Sequence, residues 1–185
     1  MAHENTYVVP YRRKRQGKTN FHKRIRLLLS GKPRLVIRKS DHNISAQIIT
    51  YQPAGDTVLA SAHSRELSKL GWKGGLKSVP AAYLVGLLIG HKAKKNKIAE
   101  AVADIGIYTT SSGSKMYAVI KGAIDGGLNV PCNTESTPKE DRLHGKHIIT
   151  YLKTAPAKEF AKQRRELTQE TYERMFENIR KKILS

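Results

Sequence analysis

Apolar positions in this chain come in short runs, separated by glycine and proline and flanked by charge. Residues 18–30 read as a helix. Thr19 or Asn20 can accept from the free amides of its first turn, and Ile25, Leu28 and Leu29 form one apolar face expected to dock on a core. Lys23, Arg24 and Arg26 lie mostly off that face; Gly31 suits the position after the last turn and Pro33 prevents continuation. Three strands follow. Leu35, Val36 and Ile37 form the first, and residues 42–52 alternate imperfectly around Ile44, Ala46 and Ile48. After the turn cluster Pro53–Asp56, Thr57–Ser61 resumes an extended run, so the short connections predict an antiparallel meander.

Ser64–Leu70 is a brief helix with Ser64 as its cap and Gly71 as its stop. Ser78 caps a longer helix, with Pro80 in the first turn, that runs through Leu84, Leu87 and Ile89 into the basic stretch His91–Asn96. It is apolar on most sides and belongs against a sheet. A strand over Ala101–Tyr108 is followed by a helix over Lys115–Ile124, capped by Ser112 or Ser114 and ended by Gly126 and Gly127, and then by a short extended piece at Leu128–Val130. A strand reached through a helix crosses over to lie parallel to its partner, so the order predicts the α/β class: a mixed sheet of four or five strands with packed helices.

Beyond residue 131 the pattern loosens into short helices at Pro138–Leu143 and Lys146–Lys153. A charge-rich helical tail over Ala157–Ser185, broken near Thr168, is expected to bury little. The chain thus divides into residues 1–18, a basic extended arm; residues 19–153, the α/β domain; and residues 154–185, a charged helical extension.

Charge changes the picture most. The 185 residues hold 34 Lys+Arg against 15 Asp+Glu, a formal net charge of +19. Residues 1–39 contribute 12 of the bases and a single acid, Glu4. Pro10 and Gly17 interrupt any helix around the run Arg12, Arg13, Lys14, Arg15 and Lys18. A folded chain this basic repels itself, and a polyanion relieves that repulsion by neutralisation and counterion release. A membrane surface fits less well, because the arm has no amphipathic helix with a broad apolar face. The longest apolar run, Ala81–Ile89, falls short of the roughly 20 residues a bilayer span needs. No signal-peptide pattern opens the chain, and the single cysteine, Cys132, excludes an intramolecular disulfide framework. These features predict a cytoplasmic protein whose partner is nucleic acid.

Catalytic patterns are weak. A metal-dependent RNA-processing nuclease on such a sheet is the alternative reading, and it would need Asp104 joined by further acids at one sheet edge. Asp56 sits in a turn and Asp125 before a double glycine, both common structural places. Cys132, His144 and His147 supply three of the four ligands a structural zinc requires. Gly71, Gly74, Gly75 and Lys77 lack phosphate-loop spacing, and Ser112–Ser114 lacks the glycines of a nucleophile elbow. No enzyme activity, cofactor or metal is expected. Gly74, Gly75, Gly126 and Gly127 suit either ordinary turns or close approach of a ribose-phosphate chain. Tyr11 and Trp72 sit beside Arg or Lys, and Tyr7 and Phe21 lie within a few residues of one, as bases stacking on aromatics would favour. Core packing is the expectation for Phe21, while Trp72 is open between RNA and its own fold.

Several segments carry a resemblance: Val9–Arg15 (VPYRRKR), Gly17–Thr19 (GKT), Ser30–Ser40 (SGKPRLVIRKS), Ile44–Ile49 (ISAQII) and Leu59–Ala62 (LASA). Gly71–Gly74 (GWKG), Pro80–Leu84 (PAAYL), Asp104–Gly106 (DIG), Lys121–Leu128 (KGAIDGGL) and Glu140–Ile148 (EDRLHGKHI) continue it in one order. Over residues 6–153 the chain resembles the 5S-rRNA-binding family of the large ribosomal subunit, protein eighteen in the bacterial naming, in its archaeal form; the eukaryotic relative is large-subunit protein five. Lys97, where the family suggests glycine, and Cys132, where it suggests histidine, depart from the pattern. The resemblance implies a ribonuclease-H-like sheet without catalytic acids. It also implies a structural protein of the large subunit that binds 5S rRNA and attaches it to 23S rRNA in the central protuberance, beside large-subunit ribosomal protein five and other proteins there. On that expectation, Arg12, Arg13, Lys14, Arg15, Lys18, Arg24 and Arg26 bind phosphates, and Arg34, Arg38, Lys39, Ser40, Lys73 and Lys77 form a folded platform.

Overall fold

A computed structural model describes residues 8–109, 111–154 and 169–184. Its centre is a four-stranded sheet of β1 (Arg34–Lys39), β2 (Ile44–Thr50), β3 (Thr57–His63) and β4 (Val102–Asp104), in the order β3-β2-β1-β4. The meander is antiparallel, with Leu35 opposite Ile48 and Ile37 opposite Ala46, and β4 joins β1 in parallel, with Val36 level with Asp104. The fold is therefore the mixed α/β architecture anticipated from the order of elements.

The strand period sorts the two faces. Leu35, Ile37, Ile44, Ala46 and Ile48 are buried beneath α4 (Val79–Lys95), which is apolar on nearly every side and forms the centre of the core. Ser78 caps α4 by accepting from the Ala81 amide. Beside it runs α5 (Lys115–Asp125), and the two helices touch backbone to backbone through glycines. A Cβ on Gly86 would strike the Val119 carbonyl oxygen, and one on Gly122 the Tyr83 carbonyl oxygen. Gly126 lies against Gly90 in the same seam, so packing accounts for it, and Gly127 is the left-handed residue that ends α5 (φ +98°).

Several expectations need correction. The fourth strand stops at Asp104 because Gly106 turns the chain (φ +65°) and donates its amide to Asp104 Oδ1. Leu128–Val130 adds only a bridge, Asn129 with Glu100. The cap of α3 (Ser64–Lys69) is His63: its Nδ1 accepts from the Arg65 amide and its own amide donates to Glu66. Ser64 is instead buried and links the start of β2 through Asn43 and the Ile44 amide.

After α6 (Glu140–Leu143) and α7 (Lys146–Thr154), α8 (Gln169–Leu184) packs on α4. The charge-rich sequence predicts a tail that buries little, yet Tyr172, Phe176, Ile179 and Ile183 are all buried. Their spacing is a helical stripe, which the many charges on the other faces disguise. Thr168, the proposed break, lies outside the described residues. At the sheet's outer edge, the Leu59 and Ser61 carbonyls of β3 accept from Asn96 Nδ2 and Lys92 Nζ of α4.

Candidate nucleic-acid interface

The sheet face turned away from α4 carries Arg34 and Arg38, with Asp104 beside them, and α2 (Phe21–Leu28) lies across it. Asn20 caps α2 by accepting from the Lys23 amide, and Gly31 ends it in the left-handed conformation, φ +65°. Its orientation is rotated from the expected one, although Leu28 is half-buried and Lys23 and Arg26 are exposed as anticipated. Ile25 and Leu29 are 56% and 81% exposed, while Arg24 turns inward to place Nη2 2.9 Å from both oxygens of Asp56.

That inward turn follows from a chain of charges. Asp56 also takes Arg34 Nη2 at 2.7 Å, Arg34 Nη1 reaches Asp104 at 2.8 Å, and Asp104 meets Arg38 Nη2 at 3.2 Å. Arg34 is 3% exposed, so its two carboxylates are what make burial of a guanidinium tolerable. Asp104, the acid on which a nuclease reading depends, is thus committed to two arginines. Arg38 is fixed further by donating to the Ile37 and Asp104 carbonyls, with its guanidinium packed against Gly106.

Between α2, the arm and this sheet face lies a cleft of about 410 Å³. Arg13, Lys18, Arg24, Arg26, Arg34 and Arg38 line it, together with Lys23, which sequence reading left out. Asp104 is the one carboxylate among its lining residues. The arm is not wholly extended: Arg12–Arg15 form a helical turn, α1, closed by Gly17 (φ +61°). Arg12, Arg13, Lys14, Arg15 and Lys18 are exposed, and none pairs with a carboxylate among the described residues. Arg13 Nε donates to Thr19 Oγ1 at 2.8 Å, tying the turn to the start of α2. Tyr11 packs on Phe21 at 5.5 Å between ring centroids, so Phe21 braces the arm and lies outside the main core.

The other predicted residues sit elsewhere. Ser40 closes the β1–β2 turn by bonding to the Asn43 amide and carbonyl. Lys39 ends β1 with its ammonium 4.9 Å from the Tyr108 ring centre, and Lys77 precedes the cap of α4. Lys73 is exposed, but its neighbour Trp72 is buried in edge contact with Tyr172, which settles the tryptophan in favour of the fold. Gly74 lies against the Trp72 ring, leaving no room for a side chain.

Among the described residues, no group of three His, Cys, Asp or Glu could hold a metal. His144 packs on Phe176, and Cys132 is half-buried, its thiol pushed up by burial. Nor is any described helix long and apolar enough to cross a membrane.

The fold and this face define a basic α/β protein with unpaired cations on α1 and around a cleft, and with Asp56 and Asp104 orienting the arginines of the sheet. The sequence profile of the family described as ribosomal large subunit proteins 60S L5 and 50S L18 matches residues 5–102 and 91–133. The chain belongs to that family, and its role is that of a structural ribosomal protein associated with 5S rRNA rather than an enzyme.

Proposed function

We propose that this protein, an archaeal member of its family acting in the cytoplasm, binds 5S rRNA directly and attaches it to 23S rRNA in the central protuberance of the large subunit. Large-subunit protein five and other proteins of that region are its neighbours. The observation that supports this best is the set of unpaired cations on α1 and around the cleft, Arg12, Arg13, Lys14, Arg15, Lys18 and Arg26, beside arginines already held in place by Asp56 and Asp104. Phosphate contacts supply affinity and position, and the shape of the RNA supplies selectivity. Arg34 acts as a positioning residue, because its guanidinium is buried.

Filter binding of 5S rRNA against an unrelated duplex of equal length tests this reading. Preference for 5S rRNA is expected, together with co-sedimentation with the large subunit and release in high salt with 5S rRNA attached. Equal affinity for any duplex would make the protein a general nucleic-acid compactor. RNA cleavage in Mg²⁺ or Mn²⁺ that disappears in Asp104→Asn would restore the nuclease alternative.

A further inference from the structure

A second cationic cluster lies outside the lining of the cleft. The glycine seam sets α4 and α5 parallel, since Gly86 meets Val119 and Ala123 while Gly90, one turn on, meets Ala123 and Gly126. Their first turns are therefore level, with the caps Ser78 and Ser114 at one end. β1 and β4 run parallel towards that end, which brings Lys39 to it, and the Tyr108 hydroxyl donates to the Lys39 carbonyl at 2.8 Å. Lys77 precedes the cap of α4 and Lys115 is the first residue of α5.

Three lysines at this place oppose ordinary electrostatics. The N-terminal end of a helix carries partial positive charge and favours acids, yet neither helix has an acid in its first turn. Burial lowers the Lys115 pKa, and the charges of Lys77 and then Lys39 lower it further, so both lie close enough to act on Lys115. None of them pairs with a carboxylate among the described residues. Ser114 Oγ is buried, makes no capping bond and has no hydrogen-bond partner among the described residues. Such an arrangement destabilises the free protein and is relieved when an oxyanion enters.

We propose that Lys39, Lys77 and Lys115, with the Ser114 hydroxyl, form a second anchoring site that takes a phosphodiester of the bound RNA backbone. This rests on the RNA-binding reading and adds a separate contact to it, at the carboxyl ends of the parallel strands. The Lys39 ammonium is held over the Tyr108 ring, which reduces the freedom lost on binding. Free inorganic phosphate offers the same chemistry from another source.

The test uses the full chain in three forms: wild type, K39Q/K77Q/K115Q and K39R/K77R/K115R. Each is measured for 5S rRNA affinity across a salt series and for melting temperature with and without inorganic phosphate. The glutamine variant is expected to lose about 10- to 100-fold in affinity, and its log K against log salt slope to flatten by about 2, at roughly 0.7–0.9 per contact. Its melting temperature should hold or rise, since repulsion is removed, and the arginine variant should keep the wild-type slope. Unchanged RNA affinity and slope in the glutamine variant overturn the site, and so does loss of phosphate-induced stabilisation alone, which would make free phosphate the ligand. A wild type that binds no RNA removes the functional reading itself. Should the triple variant fail to fold, K115Q by itself must still flatten the slope by about one contact or the proposal falls.

Discussion

Lys97 is the one described non-glycine residue in the left-handed region, φ +58°. Its conformation closes α4: the Ile98 amide reaches the Ala93 carbonyl at 2.9 Å, the bond that ends a helix through a left-handed residue. A side chain there strains the backbone, so Lys97→Gly should raise the stability of the free protein by roughly 0.5–1 kcal/mol, measured by urea denaturation. A lower midpoint would show that the lysine makes a compensating contact. Single residues were the hardest features to read from sequence. Trp72 and Phe21 both lie near basic residues, yet one is core and the other braces the arm, because burial depends on what distant segments bring against the ring. Arg34 looked like any other basic strand residue until Asp56 and Asp104 were placed around it.

At the scale of elements, period and punctuation were enough for β1, β2 and α4, whose apolar spacing matches their burial, and for the presence of β3 and α5, although β3 leaves Val58 and Leu59 exposed and Ser114 makes no capping bond. What local pattern misses is which face of a short helix turns inward. In α2, the pull of Asp56 on Arg24 outweighs the apolar row of Ile25 and Leu29. The α4–α5 seam was likewise invisible as a contact, although its glycines were plain in the sequence. Gly122→Ala would press a Cβ onto the Tyr83 carbonyl oxygen, and backbone on both sides leaves no flexible atom to yield. The helices must separate, and a loss of about 1–3 kcal/mol is expected in thermal or urea unfolding. A neutral result would mean that the seam slides without cost.

For the whole molecule, the decisive quantity was legible from the start: an excess of cations crowded into the first fifth of the chain. The structure adds a division of labour. Charges on α1 are exposed and pair with no described carboxylate, whereas Arg34 and Arg38 of the sheet are tied to acids. Replacing Arg12, Arg13, Lys14 and Arg15 with glutamine should therefore weaken 5S rRNA binding and flatten its salt dependence by about 3, while leaving the unfolding midpoint close to wild type, since α1 buries nothing. Unaltered affinity in filter binding would remove the arm from the mechanism.

The outer strand has a consequence for the protein before it meets its RNA. Main-chain oxygens of Leu59 and Ser61 are already occupied by Asn96 and Lys92. A second polypeptide could add itself along β3 only by evicting both side chains and accommodating a cation at the join. Newly made molecules awaiting assembly are in this way discouraged from stacking edge to edge.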